Sequence, residues 1–208
     1  MRRSCDSARP SARLRKSRGY TVIEVMIALT LLAIGTMGVI AMQKVTAIAN
    51  RDAKNLVVAN QVARTWLERL RTDAVQWNHP SPANVASDLG DTRWLNNVDG
   101  KWFRPTDNAV GSPTADALGN DVRDADLSPG VFCTNVRLTW LYGPPPAAPQ
   151  PYLIRAEVRT YWLRDGGGGT VNGKGICDPT TDLSQVSPAL ERYHFVYLVS
   201  AIAQNQAR

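Results

Sequence analysis

The chain has 208 residues, with 24 basic and 18 acidic side chains and a net charge of +6. Seven of the basic residues and Asp6 lie within residues 1–19, so the whole net charge sits there, and residues 20–208 hold 17 of each sign (24 less 7, 18 less 1). That balance removes a nucleic-acid reading, which needs a basic stripe on the folded part, and two histidines leave little for a histidine-based zinc site or a catalytic triad.

The basic leader ends at Gly19 and an apolar run begins at Tyr20. Residues 25–42 are 18 consecutive uncharged positions in which Thr30 and Thr36 are the only hydroxyls. A spanning helix needs about 20 residues, and with residues 20–23 the run is long enough to cross a bilayer. The positive leader predicts a cytoplasmic N-terminus and export of the C-terminal part. One carboxylate, Glu24, interrupts the run, and at that depth a charge is unfavourable by roughly 2.5–3.5 kcal/mol. Three processing readings follow: an uncleaved anchor, a signal peptide cut after Ala47-Ile48-Ala49, and cleavage between Gly19 and Tyr20. Only the third accounts for Glu24.

In their order after a basic leader and before an apolar helix, Gly19, Tyr20, Thr21, Val22, Ile23 and Glu24 resemble the signature of the type IV prepilin family. The resemblance implies that a membrane prepilin peptidase cuts after Gly19 and methylates the new amino terminus on Tyr20. Gly19 has no Cβ to obstruct a protease. Glu24 then lies one helical turn, about 6 Å, from the new terminus. In the family this carboxylate attracts the amine of a neighbouring subunit during assembly, which supplies a partner for a buried charge. The resemblance also implies a protein that is not an enzyme and takes no cofactor. It would sit in the bacterial inner membrane with its head in the periplasm, then in a filament with other minor and major pilins.

The helix is expected to continue to Trp77, because residues 44–77 contain no Pro and no Gly. Val45, Ala49, Ala53, Leu56, Ala59, Ala63, Trp66, Leu70, Ala74 and Trp77 recur at spacings of three and four. One helix over 20–77 would measure roughly 87 Å, with residues 20–42 as a membrane or filament-core half and 43–77 as an amphipathic half. Gly35 and Gly38 are the positions where it would bend. His79-Pro80-Ser81-Pro82 is the expected stop. Residues 78–130 read as irregular, subunit-specific surface, pinned by Trp94-Leu95 and Trp102-Phe103.

Three strand-like segments follow, at 131–142, 152–163 and 193–202, and the proline-rich 143–151 stretch joins the first two as an extended turn. The order predicts an α+β fold, a long N-terminal helix packed on an antiparallel sheet formed by residues 131–208. With Cys5 lost in the leader, Cys133 and Cys177 are the two cysteines of an exported domain and are expected to pair.

Other motifs point to no chemistry. Residues 168–174 fit the phosphate-loop spacing, yet Gly175 stands where Ser or Thr should bind Mg²⁺, so a flexible glycine loop is expected. Asp116, Asp121, Asp124 and Asp126 form an acidic cluster that could hold Ca²⁺, but they lack EF-hand spacing and read as a solvated loop. His194 reads as a packed strand residue. Gln43, the alanine-rich turns and Leu67-Glu68-Arg69-Leu70-Arg71 are similar to the V-type minor pilins, the type IV pilus modification proteins. A minor pseudopilin of a type II secretion system and a pilus-tip adhesin are the alternatives.

Overall fold

The computed structural model describes residues 19–77, 88–106, 110–123, 130–143, 152–164, 170–171, 174–178 and 191–204. The chain divides into two compact units, Met1–Ala47 and Ile48–Arg208. Helix α1 spans Val22–Trp77 and is helical through Gly35 and Gly38. The expected stop at residues 79–82 lies outside the described residues.

In the first unit every described side chain is exposed. The hydroxyls of Thr30, Thr36 and Thr46 donate to the carbonyls of Ile27, Ala33 and Met42 at 2.8–2.9 Å. Their polarity is thereby absorbed by the helix itself, which suits an apolar surrounding.

In the second unit the expected helical stripe divides in two. Ala59, Ala63, Trp66, Leu70, Ala74 and Trp77 are buried, together with Val62 and Leu67. Ala49, Ala53 and Leu56 have the same phase but are exposed, as is Val45 in the first unit. Periodicity marks an apolar face, and only the part of that face that meets the sheet core is covered within this chain.

The sheet has five strands. β1 (Trp102–Phe103) and β2 (Thr114–Ala115) follow one another along one edge of β3 (Phe132–Tyr142), opposite residues 136–137 and 132–133 respectively; β3 pairs on its other side with β4 (Leu153–Leu163), and β4 pairs with β7 (Tyr193–Ala203). All pairings are antiparallel. A separate hairpin joins β5 (Thr170–Val171) to β6 (Lys174–Gly175), within the stretch expected to be a glycine loop; Gly168, Gly169, Asn172 and Gly173 lie outside the described residues. The three long strands match the expected segments to within a residue, because β-branched and aromatic residues alternate along them.

The 78–130 region is less irregular than expected. Its described parts give the sheet β1 and β2, a 3₁₀ turn at Asp88–Asp91, and the core residues Trp94 and Leu95. The sheet is therefore not confined to residues 131–208. Two-residue strands carry no detectable period, and β1 and β2 form because β3 offers them an edge.

Val136, Leu138, Ile154, Ala156 and Val158 face the helix and are fully buried. Trp66 packs edge-on to Trp94 at 5.3 Å, and Trp77 edge-on to Trp140 at 6.2 Å. The opposite face of the sheet is also covered. Arg159 and Tyr161 have no exposed surface and Glu157 almost none. The Arg159 guanidinium lies 4.3 Å from the Trp102 ring and donates to Asn135 Oδ1 at 2.9 Å. Glu157 pairs with Arg137 and with Arg155, the latter at 2.7 Å. Burial pushes the Arg159 guanidinium below and the Tyr161 hydroxyl above their ordinary pKa values.

Candidate functional site

The residues that carry the processing and assembly expectations lie together at the start of α1. Gly19, Tyr20 and Thr21 precede the helix, so the Gly19–Tyr20 bond is in non-helical backbone, the form a protease must bind. Nothing lies within 4 Å of where a Gly19 Cβ would be, and Tyr20 is 82% exposed. The helix begins two residues later than expected because Thr21 is its N-cap. The Thr21 carbonyl accepts from the Glu24 and Val25 amides at 3.1 and 3.2 Å, and Thr21 Oγ1 accepts from the Glu24 amide at 3.3 Å. Thr21-x-x-Glu24 has the spacing of a capping box, a signal present in the sequence.

Glu24 is exposed in the first turn, where a carboxylate complements the helix dipole. It makes no side-chain hydrogen bond or ion pair among the described residues, so the carboxylate is available to a second chain. The window of α1 apolar enough to cross a membrane has no part buried within the protein.

In the second unit, Cys133 on β3 is disulfide-bonded to Cys177, just after β6, with their Cα atoms 5.3 Å apart. The bridge ties the β5–β6 segment to the sheet, and Tyr161 donates its hydroxyl to the Ile176 carbonyl beside it at 3.4 Å.

The acidic cluster does not act as one group. Asp116 accepts from the Leu118 and Asn120 amides at 2.8 and 2.9 Å, closing a turn in which Gly119 has φ of +87°. Burial would raise its carboxyl pKa, but the Asn120, Leu118 and Gly119 amides together hold it below the ordinary value. Asp121 faces elsewhere and takes both guanidinium nitrogens of Arg69, at 3.2 and 2.6 Å. Asp124 and Asp126 lie outside the described residues. Among the described residues no three potential metal ligands come together.

Asp73 is a polar centre that the sequence reading did not find. It is buried near the end of α1, and its carboxylate accepts from three successive amides: Arg93 at 2.7 Å on Oδ1, and Trp94 at 2.8 Å and Leu95 at 3.0 Å on Oδ2. It fastens the incoming 93–95 backbone to the helix.

Residues 14–40 match the family model of the prokaryotic N-terminal methylation motif. The chain carries a prepilin-type methylation signal. The match spans the end of the leader, the Gly19–Tyr20 junction, the capped first turn and most of the apolar run. It supports a type IV pilin-like or pseudopilin-like protein and implies processing by a prepilin peptidase. The α+β layout, a long N-terminal helix followed by an antiparallel sheet, is that of a pilin-like protein. No curated protein and no solved structure matches the chain.

Proposed function

We propose that the chain is a minor pilin, most like the V-type subunit PilV, the type IV pilus modification protein. In this reading residues 1–19 are removed, Tyr20 becomes the N-methylated first residue, and residues 20–42 pass from the inner membrane into a filament core. Residues 43–77 carry the head, which enters the periplasm and then the cell surface. The role is structural, in priming or joining the filament with other pilins, and the chain is the peptidase's substrate. The observation that carries the reading is an apolar helix that no described residue covers, bearing a Glu24 with no side-chain partner among the described residues, one turn from an exposed Gly19–Tyr20 bond. A carboxylate kept in such a helix needs a cation from another chain.

The N-terminal residue of the mature protein tests it. N-methyl-Tyr20 is expected; Asn50 as the first residue would mean a signal peptide and sink the filament model.

The same junction chemistry serves a minor pseudopilin of a type II secretion system, and co-purification with pilus or with secretion subunits separates the two. The tip-adhesin alternative requires a free binding surface between residues 83 and 130. Deleting that region would also remove β1, β2, Trp94 and Leu95 from the fold, so its test is substitution of the exposed Leu118, with adhesion and piliation read separately.

A further inference from the structure

Ala47-Ile48-Ala49 has the small-x-small pattern at which signal peptidase cuts after an apolar run. Seven residues, 43–49, separate the end of the uncharged run from the Ala49–Asn50 bond, which as helix is about 10 Å along the axis. Burial does not protect the pattern. Every side chain from Ala47 to Asn50 is exposed, Ile48 by 53%.

The backbone is what separates this bond from Gly19–Tyr20. The latter precedes the Thr21 cap in non-helical chain, whereas residues 47–49 lie deep inside α1. The helix runs 25 residues from Val22 to Thr46 before them and 28 from Asn50 to Trp77 after them. A peptidase that takes its substrate as an extended strand must first pull this stretch out of the helix. No Gly or Pro occurs from 39 to 77, so nothing in the sequence weakens the helix locally. Opening an interior stretch turns one helix into two, and the second nucleus makes the open form about a thousandfold rarer.

We propose that residues 47–49 are a latent signal-peptidase site, kept silent by the unbroken helix, so that helix continuity commits the chain to the cut after Gly19. The inference rests on the processing reading above. The reaction held off is a hydrolysis: water adds across the Ala49–Asn50 amide, leaving a carboxylate on Ala49 and an amine on Asn50. Asn50 matters here for a second reason. Asparagine is a strong N-cap, so a helix broken upstream restarts at Asn50 and leaves residues 47–49 extended. That is the placement Thr21 gives the Gly19–Tyr20 bond.

The test expresses the full chain in its native cell with Val45→Pro and Thr46→Gly together. The proline removes one helical amide and clashes with the carbonyl four residues back, at Ala41. Sequencing of the N-termini should find Asn50 about a hundredfold more often in this double variant than in the unaltered chain. Val45→Ala with Thr46→Ala, which keeps the helix, should leave the Asn50 end as rare as in the unaltered chain. Adding Ala49→Leu to the double variant should remove the Asn50 end, because the residue before the cut is no longer small. Purified signal peptidase acting on the same chains in detergent micelles repeats the reading without export. Amide exchange there should show residues 47–49 unprotected in the double variant alone.

No rise in the Asn50 end in the double variant, in cells and in micelles, would overturn the inference and leave the Gly19 cut standing. So would amides 47–49 that stay protected in that variant, an equal rise in the alanine pair, or an Asn50 end that survives Ala49→Leu. Asn50 as the main end of the unaltered chain would overturn the processing reading itself, and this inference with it.

Discussion

Replacing Asp73 with alanine takes away the acceptor for three backbone N–H groups at once. Two of these, on Trp94 and Leu95, belong to buried residues, while Arg93 is exposed enough for water to reach its amide. A buried donor left unpaired costs about 1–3 kcal/mol, so two of them give about 2–6 kcal/mol. Successive amides converging on one carboxylate form an anion nest, and charge-assisted bonds lie at the upper end of the range. About 4 kcal/mol is expected for Asp73→Ala. Asparagine separates the contributions, because Trp94 and Leu95 share Oδ2 and Arg93 uses Oδ1. An asparagine oxygen at the Oδ2 position keeps both buried bonds and loses only the wetter one, so Asp73→Asn should cost about 1–2 kcal/mol. Urea unfolding of the full chain in detergent micelles, followed by tryptophan fluorescence, reads this directly, since Trp94 packs on Trp66. Exchange of the Trp94 and Leu95 amides should accelerate in the alanine variant more than exchange in β3 or β4. Losses below about 1 kcal/mol for both variants, or equal losses for the two, would refute the reasoning.

Thr21→Val removes the cap oxygen and should weaken the first turn by about 1 kcal/mol, read as about fivefold faster exchange of the Glu24 and Val25 amides in micelles; Thr21→Ser should restore it, and equal exchange in all three chains would deny the cap. Glu24→Ala should still be cut after Gly19 but enter filaments poorly, and unchanged incorporation in a pilus assay would count against charge pairing between subunits. Cys133→Ala opens a bridge between residues 44 apart and should cost about 3–4 kcal/mol. Reductant should bring the unfolding midpoint of the natural chain down to that of the variant.

The parts of the fold legible in the sequence are those with a period or a fixed spacing. The three long strands alternate, the helix repeats at three and four, and the Gly19-to-Glu24 spacing stands out beside the apolar run. Asp73 was missed, though it left a trace: it falls in step with Trp66, Leu70 and Trp77, a carboxylate on the apolar stripe, and its partners are backbone groups some 20 residues away that have no sequence signature. Arg159 shares its row of β4 with Arg155 and Glu157, which reads as a solvated row. Its burial comes from Trp102, supplied from elsewhere in the chain. The exposed positions Val45 and Leu56 show the converse, a stripe correct in phase but with no cover inside one chain.

The burial of β4 on both faces bears on how this head can vary. From Ala156 to Trp162 seven consecutive residues are buried, whereas a strand with one wet face leaves every second position free to drift. At Arg159 a change of charge breaks the contacts to Asn135 and Trp102, and at Val158 a change of size opens or overfills the helix side. Neither parity of the strand is permissive. Substitutions that a descendant of this chain can accept should collect in the turns and on the exposed edge, so surfaces that recognise different partners can diversify while this one strand stays nearly constant.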